Sequence, residues 1–208
     1  MNDAGAYTNN YGTAAADGIA IGANHGNGAS ANGQASIGMG AGANASGANA
    51  TAIGLRAKAS GTSSFAFGMD SNANATDSMS FGSYSNATAN QAVAIGYAAN
   101  SLGANAVALG SNAKATKDYT TAIGLNANAT ATSASAIGNG ANASGVNSLA
   151  LGLYANASGQ SAVAVGDSAK AEGLQGIATG YKANAKGDYS FAMGNSANAT
   201  DNNAIALG

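Results

Sequence analysis

Glycine returns at a fixed pitch along this chain, and that pitch limits the available folds more than any other feature. From Gly54 the step is fourteen residues: Gly54, Gly68, Gly82, Gly96, Gly110, Gly124, Gly138, Gly152, Gly166, Gly180, Gly194 and Gly208. Gly22 and Gly38 extend the series toward the start in two steps of sixteen. The residue before each glycine is large and apolar, as at Ile53, Phe67, Ile95, Leu109 and Met193; Thr179 is the exception. Two before the glycine stands only Ala or Ser, and three before it the residue is again mostly large, as at Phe65, Met79, Val93 and Leu149. Large, small, large, glycine is a period of two, so each block predicts a short strand with two distinct faces.

A second alternation follows each glycine. Small residues such as Ala113 and Ala115 flank a polar one, which is Asn at Asn72, Asn86, Asn100, Asn128, Asn142 and Asn156 and Lys at Lys58, Lys114 and Lys170. This predicts a second strand with small side chains inward and polar ones outward. Alanine content alone favours helix, but a glycine every fourteen residues and Asn or Ser in each connection oppose one. The connections are two or three residues, too short for crossover helices. The prediction is an all-β parallel β-roll solenoid of about fourteen coils, 14–16 residues each, over residues 17–208, with residues 1–16 as a lead-in. The glycines from Gly54 to Gly194 are expected to be turn residues, because glycine reaches left-handed backbone angles without Cβ strain.

Composition excludes several classes. Charged residues are 8% of the chain, scattered singly, with a net charge of −2. No basic patch points to nucleic acid. Cysteine is absent, so disulfides and thiolate metal sites are excluded. The start, MNDAGAYTNN, has neither the basic nor the apolar segment of a signal peptide. No stretch approaches the roughly 18 apolar residues of a membrane span, so targeting and anchoring parts are expected outside this segment and no membrane contact within it.

A coil this narrow holds a thin core, and a roll with two broad faces buries little surface alone. The unbroken Ala or Ser two before each glycine implies that something approaches closely there. Another copy, related by an axis parallel to the roll, would supply the missing burial. Large residues inside the roll and small ones toward the partner is the expected arrangement; the reverse is the alternative.

The unit at Ala92 to Ser101, AVAIGYAANS, and at Ala106 to Ala115, AVALGSNAKA, resembles the head repeat of YadA-like trimeric autotransporter adhesins. The similarity covers about residues 17–208. It implies a left-handed parallel β-roll, a homotrimer, and a place at the outer membrane and cell surface of Gram-negative bacteria, on a neck, stalk and barrel. It also implies attachment to host extracellular matrix or cell-surface proteins, or to other bacteria, and a role in virulence. No neck, heptad stalk or barrel strand is recognisable here. Two extra residues in each of the first coils, around HGNGAS and GAGANAS, also depart from the pattern.

No catalytic constellation is present, and no cofactor or metal is expected. His25 is the only histidine and reads as a solvated loop residue. GANHGNG lacks the Lys and Ser/Thr of a phosphate loop. Candidate ligand contacts are Tyr84, Tyr97, Tyr154 and Tyr181, just after the glycine, with packing on the turn edge as the plainer role. Lys58, Lys114 and Lys170 share one repeat position, 56 residues apart, and form a solvated face or a ligand stripe. Three other functions are weighed against the adhesin. A spacer rod is distinguished by its domain context, an ice-binding solenoid needs a regular Thr face, and a hexapeptide acyltransferase fails on period.

Overall fold

The structure, a computed structural model, describes residues 7–9, 13–15, 17–22 and 28–208. Three-residue strands alternate with two-residue strands, with no helix among the described residues. The chain is a parallel β-solenoid of about fourteen turns. It divides into two compact units, residues 1–105 and 106–208. In the first, Thr51–Ile53, Phe65–Phe67, Met79–Phe81 and Val93–Ile95 pair in succession, each fourteen residues on. In the second, Val107–Leu109, Thr121–Ile123, Ser135–Ile137 and Leu149–Leu151 do the same. These strands make a wide sheet. The two-residue strands, such as Asn72–Ala73 with Asn86–Ala87, make a narrow one opposite it.

The faces of the wide strands are the reverse of the expected arrangement. The small middle residues, Ala52, Ala66, Ser80 and Ala94 in the first unit and Ala108, Ala122, Ala136 and Ala150 in the second, are fully buried. The large residues flanking them face out, with Phe81 45%, Leu109 41% and Met193 46% exposed. The narrow strands follow expectation, small in and polar out. What approaches the Ala or Ser column is therefore the chain's own opposite side, not another copy. The physical reason is the size of the lumen. Four inward positions close each coil, for example Ala113, Ala115, Thr120 and Ala122, and Thr120 is the largest fully buried side chain among the described residues. An interior packed at ordinary density on such short strands and turns has room for methyls and hydroxyls only.

Both connections are four-residue turns. Ala57 N–H donates to Gly54 O at 3.3 Å, and Ser64 N–H to Gly61 O at 3.2 Å. The third residue of each has positive φ, +54° at both Arg56 and Ser63, as a type II turn requires. Asn126 and Gly140 suit that position, but Arg56, Tyr84, Gln91 and Lys182 also occupy it. Ladder bonds hold them there: Arg56 N–H donates to Ala41 O at 2.9 Å and Tyr84 N–H to Met69 O at 2.8 Å. The turns are thus hydrogen-bonded coil to coil like the strands, which over-determines strained backbone. In each unit the glycines opening the first turn form a column, and their φ lies between +120° and +137°. A Cβ on Gly54 would lie 2.5 Å from the Gly68 carbonyl oxygen.

The first coils correct the sequence register. Ile37 pairs with Ile19 and with Thr51, which puts Gly38 inside the strand opposite Ala20 and Ala52. Gly40, with φ +120° and its N–H on Ile21 O at 2.9 Å, is the turn glycine instead. There are consequently no two sixteen-residue coils. The fourteen-residue step begins at Ile37, preceded by one step of eighteen from Ile19. The extra residues fall between Ile21 and Ser30, because Ser30 already pairs with Asn44 fourteen residues on. His25 lies there, outside the described residues. Tyr7–Asn9 and Thr13–Ala14 pair with the strands at Ile19 and Ser30, so both sheets reach into residues 1–16.

Several buried hydroxyls close their own turn. Ser78 Oγ donates to Ala75 O at 2.7 Å and Ser85 Oγ to Gly82 O at 2.7 Å. Ser148 Oγ is buried at the equivalent place without a partner. Removing an orphaned buried hydroxyl relieves its desolvation cost, whereas removing a bonded one forfeits the bond. Ser148→Ala is therefore expected to raise the unfolding free energy by about 1 kcal/mol and Ser78→Ala to lower it by about the same. Urea titrations of the two variants read the sign directly.

Candidate binding surfaces

Each unit offers solvent three kinds of surface. The first is the outer face of the wide sheet. In the first unit Phe67 stacks on Phe81 at 4.8 Å and beside Phe65 at 6.5 Å, with nearly parallel rings. In the second unit Leu109, Leu151, Ile177 and Met193 are exposed on the same face. Rows of large apolar side chains in water mark an interaction face.

The second is the outer face of the narrow sheet. Asparagines one coil apart bond side chain to side chain. Asn72 Nδ2 donates to Asn86 Oδ1 at 2.8 Å in the first unit. In the second, Asn128 donates to Asn142 at 2.9 Å and Asn142 to Asn156 at 2.7 Å. All donate toward the C-terminal end. Lys58, Lys114 and Lys170 occupy the same register position and interrupt these runs. Where a run restarts, at Asn72 after Lys58 and at Asn184 after Lys170, the first carboxamide oxygen is buried without a donor. The near-constant Asn at this strand position was the sequence signal for such ladders.

The third is the edge formed by the turns. Tyr84 and Tyr154 stand at the left-handed third position, with φ +60° and +52°. Tyr97 and Tyr181 stand one residue earlier. Tyr84 and Tyr97 meet edge to face at 5.7 Å. The Tyr154 ring covers the place a Cβ on Gly140 would need, 2.5 Å from its Cδ1. All four tyrosines remain about half exposed. On the edge of the first unit, one coil apart, Arg56 Nε and Nη2 clasp the two oxygens of Asp70 at 2.6 Å each. The hydrogen bond to Arg56 holds the Asp70 carboxyl below its ordinary range, with the guanidinium charge adding to it, against desolvation. The stability this pair contributes is present above the unfolded-state carboxylate value and is lost as pH falls through the lowered folded value. Because the pair is exposed and screened by solvent, Asp70→Asn is expected to alter stability little at neutral pH. Its difference from wild type should vanish in thermal melts at strongly acid pH.

Sequence reasoning missed Lys182. It lies one coil after Ser168 on the turn edge, with Nζ 4.9 Å from the centre of the Tyr181 ring. Hydrogen bonding to Tyr181 and that group's charge raise its pKa above the ordinary lysine value, Asp167 adding a further Coulombic contribution against desolvation. Between this edge and the narrow sheet of the second unit runs a trough of about 480 Å³ lined by Ser168, Lys170, Lys182, Asn184, Ser196 and Asn198. A second trough of about 420 Å³ is lined by Asn112, Lys114, Asn126 and Asn128. The structure thus brings Tyr84 to Tyr97 and Lys170 to Lys182, while Lys114 stands among amides. Among the described residues, no three or more His, Cys, Asp and Glu side chains converge as a metal site would need.

A family model described as the YadA head domain repeat, two copies per match, fits residues 31–57, 45–71, 73–99, 101–127, 129–155, 157–183 and 185–208. A comparison with curated proteins returns no match.

Proposed function

The chain belongs to the YadA head repeat family, and on that premise we propose that it is the non-enzymatic head of a surface adhesin, acting as a homotrimer. The family carries an adhesin-type function at the bacterial cell surface. The observation that carries the assembly is the outer face of the wide sheet. Leu109, Leu151 and Met193 are large, apolar and about two-fifths exposed in a single chain, while no fully buried side chain among the described residues is larger than Thr120. Three copies with these faces toward a common axis would bury that surface and add the core that the narrow lumen lacks. The narrow sheet and turn edges would then face outward, toward host matrix or cell-surface proteins or toward other cells. Repetition and threefold symmetry would multiply weak contacts into avidity.

Light scattering tests the assembly, with the expected mass three times the 19.6 kDa of one chain. Ile123→Lys combined with Ile137→Lys is expected to abolish the trimer, and a soluble wild-type monomer would refute it. Attachment is tested by solid-phase binding of the trimer to collagen, fibronectin, laminin and bacterial cells. A confirmed trimer that binds none of these would favour a spacer rod.

A further inference from the structure

We propose that the trough at Lys170 and Lys182 in the second unit binds an acidic sugar, a pyranose bearing a carboxylate or a sulfate. In the second unit Asn128, Asn142 and Asn156 bond side chain to side chain along the narrow face at 2.7–2.9 Å. Lys170 replaces one rung, breaks the run between Asn156 and Asn184, and opens a trough beside it. The same break leaves Asn184 Oδ1 without a donor at the trough wall. One coil further, Lys182 supplies a second ammonium group from the turn edge. No ion pair among the described residues engages either lysine; the pair found is Arg56 with Asp70.

The other two lysine positions differ. The Lys114 trough holds one cation among amides. Lys58 has Arg56 nearby in sequence, but that guanidinium is already committed to Asp70. Asp167, whose backbone carbonyl accepts from Lys182 N–H at 2.9 Å, takes a side-chain hydrogen bond from Ser168 Oγ at 2.6 Å and forms no ion pair with either lysine. Two cations without carboxylate partners select an anion. The volume and lining select more than a bare ion. About 480 Å³ falls within the range of small-molecule sites and far exceeds one oxyanion. Ser168, Ser196, Asn184 and Asn198 supply donors and acceptors suited to ring hydroxyls, and the lysine stems supply apolar wall for the ring's C–H groups. The site stands on its own lining and does not depend on the attachment reading, which matrix-protein binding tests separately.

Calorimetric titration of the intact protein with a heparin-derived oligosaccharide, sialyllactose, lactose and sodium sulfate tests it. The sulfated and sialylated arms separate the two sources of the acidic group. Binding of at least one acidic sugar is expected, weakened by added salt, and lactose is expected not to bind. Lys170→Met with Lys182→Met keeps the stems and removes both charges. It should weaken binding about tenfold or more, with an unchanged thermal melt, while Lys114→Met should bind as wild type. The proposal is overturned if the double variant binds as tightly as wild type, if lactose binds as tightly as the acidic sugar that does, if sulfate alone binds as well as the sugars, or if neither acidic sugar binds.

Discussion

Gly124→Ala is expected to destabilise the chain by about 3 kcal/mol or more, among the larger effects a single methyl group can have. Two costs combine. Gly124 has φ +129°, a conformation that strains any residue with a Cβ by roughly 1–2 kcal/mol. The added carbon would also lie 2.5 Å from the Gly138 carbonyl oxygen. That carbonyl cannot retreat freely, because Gly138 N–H is held on Ile123 O at 2.8 Å. Relief would require opening the ladder between two coils. Asn126→Gly, two residues on, is the control. Asn126 already sits at φ +56°, and glycine there needs no new space, so a change under about 1 kcal/mol is expected. Denaturant midpoints followed by circular dichroism compare them. Equal effects would mean that the glycine column is a matter of composition and not of packing.

Ala136→Leu should be at least as damaging. Ala136 is fully buried in the middle of its strand, with Ala122 and Ala150 as its register partners in the coils on either side. Three additional heavy atoms must enter a lumen whose largest occupant is a threonine. Overpacking an ordinary core costs about 1–3 kcal/mol because neighbours shift. Here those neighbours are short strands with no side-chain volume to give, so the expected loss lies at or above the top of that range. Ala136→Ser should cost much less than the leucine, about 1 kcal/mol: a hydroxyl fits at the equivalent Ser80, but Ala141 stands where Ser85 Oγ meets Ser80 Oγ at 2.6 Å, so the new hydroxyl lacks that partner. Ile137→Ala, one residue away on the outside, should barely alter the fold of an isolated chain and should act on assembly instead. Thermal melts together with sizing of these three variants separate interior from interface. A mild Ala136→Leu would mean that the lumen is wider than the structure places it.

These comparisons show where sequence and structure part. The strand positions around Ile95 and Leu109, the turn at Gly96 and Gly110 and the parallel stacking all follow from a period that only a solenoid repeats so strictly. The inner face of the narrow strands was equally legible, because Asn128 or Lys114 between two alanines can face only water. The wide strands carry no such label. Val107, Ala108 and Leu109 are all compatible with an interior, so alternation identifies two faces without saying which one is inside. The beginning of the chain was ambiguous for a related reason. Ile37-Gly38-Met39-Gly40 offers two glycines after apolar residues, and local pattern cannot rank them.

The sequence by itself determined the periodicity, the two strands per coil and the residues of the turns, because these are local consequences of alternation and of glycine's freedom. Only the tertiary structure decided what lies inside. Closure of two short strands by two four-residue turns sets a lumen that admits alanine and serine and expels phenylalanine and leucine to the surface. Backbone ladder bonds from coil to coil, such as Gly40 N–H to Ile21 O, then choose the register. Both are long-range constraints, and they place Lys170 beside Lys182 as surely as they put Ala136 in the core.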